Sequence, residues 1–419
     1  MLDLTWLRTE LEPFCSHTGR PSVDPELMIR MLLVGYCYSI RSERRLCQEV
    51  EINLAYRWFC RLGLEDAVPD HSTFSVNRHG WFRDSDVLRS VFETVVHRCI
   101  AVGLVSGEGF AVDASVIEAD ASRFVRVKGT EIDWTDEQQA QRPVREYLEA
   151  LDGGHSAINP RHKPKALSLT NPSAAWTTRG RNKVMFGYSL NYLIDMENAV
   201  IIDVQATPTR ISREVEATET MIDRTSRTFD LKPRRIAGDV AYGTGKMLGW
   251  LREQQIEPHI PVWDKARRDD GTFSRGDFSL DQDSNVYVCP NGKTLKTTGK
   301  VHDGKTLLYR SSKHDCDPCP LKINCCPRAP SRKIPRDINE AARDHARSLK
   351  GSEAYNQSAR DRKKIERLFG EAKGILAMTR LRLRGLSGAR DEFLLTATVQ
   401  NLKRLIKHAS RSPPRPMMA

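Results

Sequence analysis

The stretch that decides how this chain is interpreted is Arg362-Lys-Lys-Ile-Glu366-Arg-Leu-Phe-Gly-Glu-Ala-Lys373. Its apolar residues recur at helical spacing, which predicts a helix with one packing side. That side consists of Ile365, Leu368, Phe369, Ala372 and Leu376. Arg362, Glu366 and Lys373 stand at i, i+4 and i+11 and share another face. An acid among bases indicates either a solvated face with ordinary ion pairs or a metal ligand beside bound phosphate.

Composition limits the class of protein. The chain has 419 residues, 39% of them hydrophobic and 28% charged, which is typical of a soluble protein with two or three domains. The longest apolar run, Met31 to Ile40, is about half the length that spans a bilayer. The N-terminus has no basic region followed by an apolar stretch, so no secretory signal is visible. We therefore expect a cytoplasmic protein with no membrane partner.

The positive charge is concentrated near the C-terminus. Net charge is +11, and the residues from Arg360 onward contain 15 Lys and Arg against 5 Asp and Glu. Such a cluster commonly marks contact with a polyanion such as DNA. A solubilising basic tail explains residues 409–419 well. It explains Arg380, Arg382 and Arg384 less well, because they alternate with Leu, and these three are predicted to contact DNA.

The first hundred residues are predicted to be helical. Ser22 or Asp24 is expected to cap a helix that has Pro25 at its first position. Several short helices with polar turns are compatible with a helix-turn-helix DNA-binding module. They are equally compatible with a plain helical bundle.

Beyond residue 105 the hydrophobic period changes to that of strands. Strands are predicted over Gly109 to Ile117, Phe186 to Asp195, Ala199 to Gln205 and Arg235 to Val240. Helical patterns between the later strands indicate an α/β domain with a mixed sheet. The helix that carries Glu366 is expected to begin near Ile338.

These patterns divide the chain into five parts. The expected parts are a helical domain and candidate DNA-binding module at 1–105, a first α/β part at 106–263, a loop- and β-rich Cys-containing insertion at 264–337, a second α/β part at 338–408 and a basic tail at 409–419.

Two further acids lie in or at the end of predicted strands. Asp113 lies among apolar residues, and an ionised Asp is costly to bury there unless a cation pairs with it. Asp239 follows Gly238 at the end of another strand. Either acid could simply cap a turn. Together with Glu366 they could instead hold two Mg²⁺ or Mn²⁺ ions, which accept carboxylate oxygens and relieve the mutual repulsion of the acids.

Several longer motifs accompany these acids. In the N-terminal region they are Gly19-Arg-Pro-Ser-Val-Asp-Pro-Glu26, Ser42-Glu-Arg-Arg-Leu46, Ala55-Tyr-Arg-Trp-Phe59 and Pro69-Asp-His-Ser-Thr-Phe74. In the α/β part they are Val112-Asp113-Ala and Gly238-Asp239-Val-Ala-Tyr242. With these motifs the chain resembles bacterial insertion-sequence transposases of the DDE class, which have a ribonuclease H-like catalytic domain. The resemblance covers nearly the whole chain.

The family's Y-x2-R-x3-E-x6-K signature fits the opening stretch. Arg362, Glu366 and Lys373 match its last three positions, while Ala359 stands where the family has Tyr. Tyr355 lies one turn earlier. The signature favours Glu366 over Glu371, and it also excludes Asp120, a choice that spacing alone leaves open.

The resemblance implies a function. A family member binds the terminal inverted repeats of its element, cleaves the phosphodiester there and joins the freed 3′-hydroxyl to target DNA. Asp113, Asp239 and Glu366 would hold the metals, and Arg362, Lys373 and Tyr242 would contact DNA. Synapsis of two ends implies a homodimer on double-stranded DNA, in the bacterial cytoplasm at the nucleoid. Family members often carry a longer N-terminal leader, which is consistent with a truncated start.

Two other functions remain open at this point. A catalytically silent DNA-binding regulator derived from a transposase would keep the fold, although it would have no need of three acids. A metal-dependent nuclease without strand transfer would share the site chemistry entirely.

Five cysteines are clustered between residues 289 and 326. Cys316 and Cys319 form a C-x2-C pair on a Pro-bearing turn, and Cys289 and Cys325 could complete a tetrahedral structural zinc site. A reduced cluster without metal and a redox role are the alternatives.

Overall fold

The structure, a computed structural model, describes residues 2–14, 22–80, 85–132, 142–152, 164–179, 183–209, 211–264 and 270–410. Its helices are α1 Leu7–Leu11, α2 Pro25–Cys37, α3 Glu43–Ile52, α4 Leu54–Phe59, α5 His71–Gly80, α6 Val87–Ala101, α7 Arg142–Asp152, α8 Ile211–Phe229, α9 Gly245–Glu253, α10 Lys313–Cys316, α11 Lys322–Cys325, α12 Glu340–Leu349, α13 Glu353–Gly374 and α14 Gly385–Ala409. None of these described helices combines the length and apolar character needed to cross a bilayer.

The described strands include the four that the sequence predicts, together with others that it did not predict. They are β1 Gly109–Glu118, β2 Arg126–Lys128, β3 Ala166–Ser168, β4 Ala175–Arg179, β5 Lys183–Asp195, β6 Ile201–Pro208, β7 Arg235–Ala237, β8 Glu257–His259, β9 Ser279–Asp281, β10 Val286–Val288, β11 Thr294–His302, β12 Thr306–Arg310 and β13 Lys333–Asp337. The predicted α/β class, with a helical N-terminus and a Cys-containing β-rich insertion, is confirmed.

The chain divides into two compact units. The first comprises Met1–Pro233 and Arg360–Ala419, and the second comprises Arg234–Ala359. The N-terminal helices belong to the same unit as β1 to β6, because α2 and α6 both pack against α14. The division passes through α13. Of the expected basic tail, residues 411–419 lie outside the described residues.

The sheet of the first unit is built around β5, which is antiparallel to each of its partners. β4 and β6 pair with successive halves of β5, and β1 pairs along most of its length. In this register Asp113 lies opposite Tyr192. Phe110, Val112 and Tyr192 are fully buried, so β1 is anchored by its apolar residues and holds its polar ones in fixed places.

Helix α2 begins as its sequence predicts. The Asp24 side chain accepts a hydrogen bond from the Leu27 backbone N at 3.0 Å, and Pro25 occupies the first helical position. Of the two capping candidates, the structure therefore selects Asp24. The short helices α3, α4 and α5 follow with tight turns between them.

The predicted single helix from Ile338 is wrong, because two helices occupy that region. The chain breaks between α12 and α13 at Gly351, whose φ of +93° is sterically unfavourable for residues with a side chain. The predicted strand at Arg235 also ends early, at Ala237. Asp239 therefore lies beyond the strand.

The Cys-containing region of the second unit is more regular than expected. It is a five-stranded antiparallel sheet in the order β13-β12-β11-β10-β9. Its core includes Tyr287 and Tyr309, whose rings meet edge to face with centroids 5.0 Å apart, and Leu295 and Ile334. This small apolar core stabilises a segment that looks loop-like in sequence.

Candidate active site

Helix α13 is fixed on the sheet of the first unit by its apolar side. Ile365, Leu368, Phe369 and Ala372 are buried as predicted, and so is Leu376 just beyond the helix. The Phe369 ring stacks on Tyr192 with centroids 5.0 Å apart. Since Tyr192 is the register partner of Asp113, this packing brings the polar face of α13 close to β1.

Asp113, Arg362 and Glu366 come together as the sequence predicts. Arg362 Nη1 lies 3.1 Å from Asp113 Oδ2, and Arg362 Nη2 lies 3.9 Å from Glu366 Oε1. Asp113 and Arg362 are half-buried, whereas the Glu366 side chain is 59% exposed. The guanidinium thus stands between two carboxylates and offsets their repulsion. This arrangement can accommodate two acids close together at a surface open to solvent.

Lys373 reaches the same strand further along α13. Its Nζ donates to Ser115 Oγ at 2.6 Å. Ser115 follows Asp113 by two residues, so the two side chains share one face of β1. Sequence reasoning missed Ser115, although the i+2 spacing from a predicted strand acid was a visible signal.

Asp239 belongs to the second unit. It lies two residues beyond β7 and caps a 3-10 turn, Val240–Tyr242, with Oδ1 accepting from Ala241 N at 2.8 Å. The side chain is half-buried. The capping role considered for this acid is therefore present. The capping hydrogen bond uses only Oδ1 of Asp239, so it is compatible with metal binding by the same carboxylate.

Tyr242, which the sequence predicts to contact DNA, lies in the turn that follows Asp239. Its side chain is 2% exposed, because the tight turn after Asp239 directs the ring into the core. The next residue must be glycine, since a Cβ on Gly243 would come within 1.9 Å of the Pro261 carbonyl oxygen. Tyr355, near the signature's missing Tyr, is also buried. Both aromatic residues have packing roles.

The two acids that the signature rejects have other partners. Glu371 accepts from Gln400 Nε2 at 3.0 Å and pairs with Lys403 at 3.4 Å, which ties α13 to α14. Asp120 pairs with Arg380 at 3.2 Å and with Arg384 at 2.8 Å. Both acids are therefore engaged in contacts that hold elements of the first unit together.

The predicted DNA-binding arginines form an exposed segment, residues 379–384, here called the arginine segment. Arg380, Arg382 and Arg384 are all exposed. Leu381 N donates to the Glu118 carbonyl at 2.7 Å, and this contact lays the segment beside the end of β1. The cations are thus held in an extended row.

The five clustered cysteines surround one small cavity of about 20 Å³. The predicted ligands Cys289, Cys316, Cys319 and Cys325 line it, and the structure adds Cys326. Ser311 Oγ lies 3.0 Å from Cys316 Sγ. Burial raises the pKa of the Cys325 thiol to about 12, so in the absence of metal this thiol is neutral near pH 7.

The donor types suit the expected metals, although the described residues form no metal-ready cluster. Across the described ranges, no group of three or more His, Cys, Asp or Glu side chains is arranged to hold a metal ion. Chemically, the oxygens of Asp113, Asp239 and Glu366 are donors that Mg²⁺ and Mn²⁺ accept, and the cysteine thiolates suit Zn²⁺. The residues therefore fit these ions by their chemistry.

Comparison with known proteins identifies two domains. Residues 1–80 match the family model described as "Transposase domain (DUF772)", and residues 288–406 match the model described as "Transposase DDE domain". The second match contains Arg362, Glu366, Lys373 and the arginine segment. Asp113 and Asp239 lie outside both matched ranges.

One solved structure is similar over most of the chain. It is titled "Cryo-EM structure of piggyBac transposase synaptic complex with hairpin DNA (SNHP)". The identity is 12%, the TM-score is 0.37, and the match covers 97% of this chain and 72% of that one.

Proposed function

We propose that this chain, a DDE transposase by its matched domains, excises and inserts its own insertion sequence. It would bind the terminal inverted repeats, cleave the phosphodiester at the element ends and transfer the 3′-hydroxyl to target DNA. The observation that carries this proposal is the Asp113–Arg362–Glu366 arrangement. Two acids on separate elements share one cation at an open surface, where a DNA strand can approach.

Asp113, Asp239 and Glu366 would hold the divalent ions, Mg²⁺ or Mn²⁺. When bound, such ions activate a water or a 3′-hydroxyl and stabilise the leaving oxygen of an in-line phosphoryl displacement. The donor chemistry of the three carboxylates supports this assignment, and their joint action is part of the proposal.

The neighbouring cations have separate tasks. Arg362 offsets the repulsion between the Asp113 and Glu366 carboxylates, and its planar guanidinium offers donors that suit a phosphate. Lys373, held at Ser115, places a compact positive charge along the same face of β1. The arginine segment would hold the DNA backbone on either side of the cleaved bond. Such contacts fix position without reading sequence.

A labelled duplex carrying the flanking inverted repeat tests this function. Wild type and Asp239→Asn are incubated with it in Mg²⁺ or Mn²⁺. We expect metal-dependent nicking at the repeat boundary by wild type only. Binding to the repeat without any nick by wild type would contradict the proposal and favour a silent regulator. Nicking without joining to a target plasmid would instead favour a nuclease.

We also propose that the chain acts as a dimer on DNA. Joining two ends requires two active centres in one assembly. The mass of the end-bound complex, measured by light scattering, should correspond to two chains and two ends. A complex that contains a single chain throughout a productive reaction would contradict this part of the proposal.

A further inference from the structure

We infer that Arg41 and Glu392 are positioning residues that hold the arginine segment in place for DNA. This inference rests on the proposed function and deepens it, because it names what sets the geometry of the phosphate-binding row. All residues that carry it belong to the first unit. Neither residue belongs to the family signature, and neither was singled out from the sequence.

The first support comes from the turn between α2 and α3. Arg41 Nη1 donates to the carbonyl oxygens of Ala377 at 2.9 Å and Arg380 at 2.6 Å. Ser39 Oγ donates to the Ile375 carbonyl oxygen. One short turn of the N-terminal matched domain therefore binds three backbone carbonyls that immediately follow α13.

The second support is a buried carboxylate on α14. The Glu392 side chain is only 1% exposed. Its Oε1 accepts from the backbone N of Arg382 at 2.6 Å and of Leu383 at 2.8 Å, and its Oε2 pairs with Arg41. A buried charge is tolerated only when it is paired and hydrogen-bonded. Here the partners that satisfy Glu392 are the arginine segment and Arg41.

The remaining contacts complete the restraint. Arg382 Nη1 donates to the Arg41 carbonyl oxygen, and Leu381 N donates to the Glu118 carbonyl oxygen on β1. On the other side Asp120 pairs with Arg380 and Arg384. The arginine segment is therefore tied to the α2–α3 turn, to the end of β1 and to α14.

This restraint matters for binding. Ordering a long side chain or a loop at an interface costs conformational entropy. A row of arginines that is already fixed avoids part of that cost. Only five residues separate Gly374, the end of α13, from Arg380. A fixed segment therefore also stands at a constant place relative to Glu366.

The experiment compares Arg41→Met with a matched control, Arg89→Met. The Arg41 and Arg89 side chains are both 13% exposed, and both pair with a buried acid, Glu392 or Asp203. Each acid keeps other partners when its arginine is removed. Asp203 still pairs with Arg224 at 2.8 Å, and Glu392 still accepts from the backbone N of Arg382 and Leu383. Arg89 links α6 to β6, where it contacts Asp203 and the Val204 carbonyl oxygen. A similar loss of stability is expected in both variants.

Two readouts separate positioning from stability. Hydrogen exchange of the peptide 375–384 should be faster in Arg41→Met without DNA and unchanged in Arg89→Met. Affinity for end DNA should fall about tenfold in Arg41→Met only, since two or three arginines lose their fixed places. Arg41→Lys should restore little of the slow hydrogen exchange or of the DNA affinity, because an ammonium cannot reproduce the several donors of a guanidinium.

The outcomes are distinct. Suppose that wild type binds and cuts end DNA, and that Arg41→Met equals it in hydrogen exchange and in affinity for end DNA. This result overturns the inference and leaves the proposed function unaffected. Equal losses in Arg41→Met and Arg89→Met also overturn it, because a general loss of stability would then explain both. Wild type that neither binds nor cuts end DNA overturns the proposed function, and with it this inference.

Discussion

Asp391 on α14 is a half-buried acid that pairs with Arg390 at 3.8 Å. Its side chain is 15% exposed, and burial raises its pKa to about 6. The proton is therefore held more tightly in the folded state than in the unfolded chain. The stability linked to this proton is fully present below about pH 4 and is lost as the pH rises through about 6.

Asp391→Asn should remove this loss. We expect the variant to gain stability relative to wild type between pH 4 and pH 8, by at most roughly 3 kcal/mol for two pKa units. Urea unfolding at several pH values measures the difference. The control is Asp86→Asn, an exposed acid that pairs with the same Arg390 at 3.1 Å. A stability difference that does not vary with pH would contradict the prediction.

At the level of single residues, the sequence reveals the acids better than their supports. Asp113 and Glu366 were predicted because a strand acid and a helix acid among bases are unusual locally. Arg41 and Glu392 lie 351 positions apart, and each taken alone resembles an ordinary charged residue. The burial of Tyr242 is not visible in the sequence, because it depends on how the turn after Asp239 folds.

At the level of elements, strands and capped helices were predictable, and the break before α13 was missed despite Gly351. Helical periodicity continues on both sides of this glycine, so the pattern favoured one long helix. The φ of Gly351 is +93°, and a Cβ there would meet no atom within 4 Å. Its constraint is therefore conformational and not steric crowding by neighbours.

Gly351→Ala should accordingly destabilise the chain by roughly 1–2 kcal/mol, the cost of a left-handed conformation for an L-residue. Gly370→Ala is the matched control. Gly370 lies inside α13, and a Cβ there would also meet nothing within 4 Å. That change should stabilise by roughly 0.5–1 kcal/mol, since alanine favours the helix. Thermal unfolding of both variants measures the contrast, and equal effects of the same sign would refute it.

The cysteine cluster gives the second prediction for an element. If it holds structural zinc, purified protein should contain about one zinc per chain by elemental analysis, because four thiolates complete one tetrahedral site. Chelation should then lower the melting temperature, and Cys316→Ser should reproduce the shift. Cys99→Ser, which changes a buried cysteine elsewhere, is the control. Zinc-free protein whose melting is unchanged by chelation would mean a metal-free thiol cluster.

At the scale of the whole molecule, the central claim concerns acids that are far apart in sequence. Asp113 and Glu366 belong to one unit and Asp239 to the other. The sequence shows two acids in or after predicted strands and a third on a predicted helix, because each acid lies in its own local pattern. The proposed cooperation of these three acids is not encoded by local patterns.

The most direct test is the rate of end nicking in Mg²⁺ by Asp113→Asn, Asp239→Asn, Glu366→Gln and the Asp113→Asn/Glu366→Gln double variant. Groups that act as a unit are strongly non-additive. We predict that each single variant loses at least about a thousandfold in rate, that the double variant loses no more, and that all still bind end DNA. A single variant that nicks at the wild-type rate would contradict the claim that these three acids form the catalytic centre.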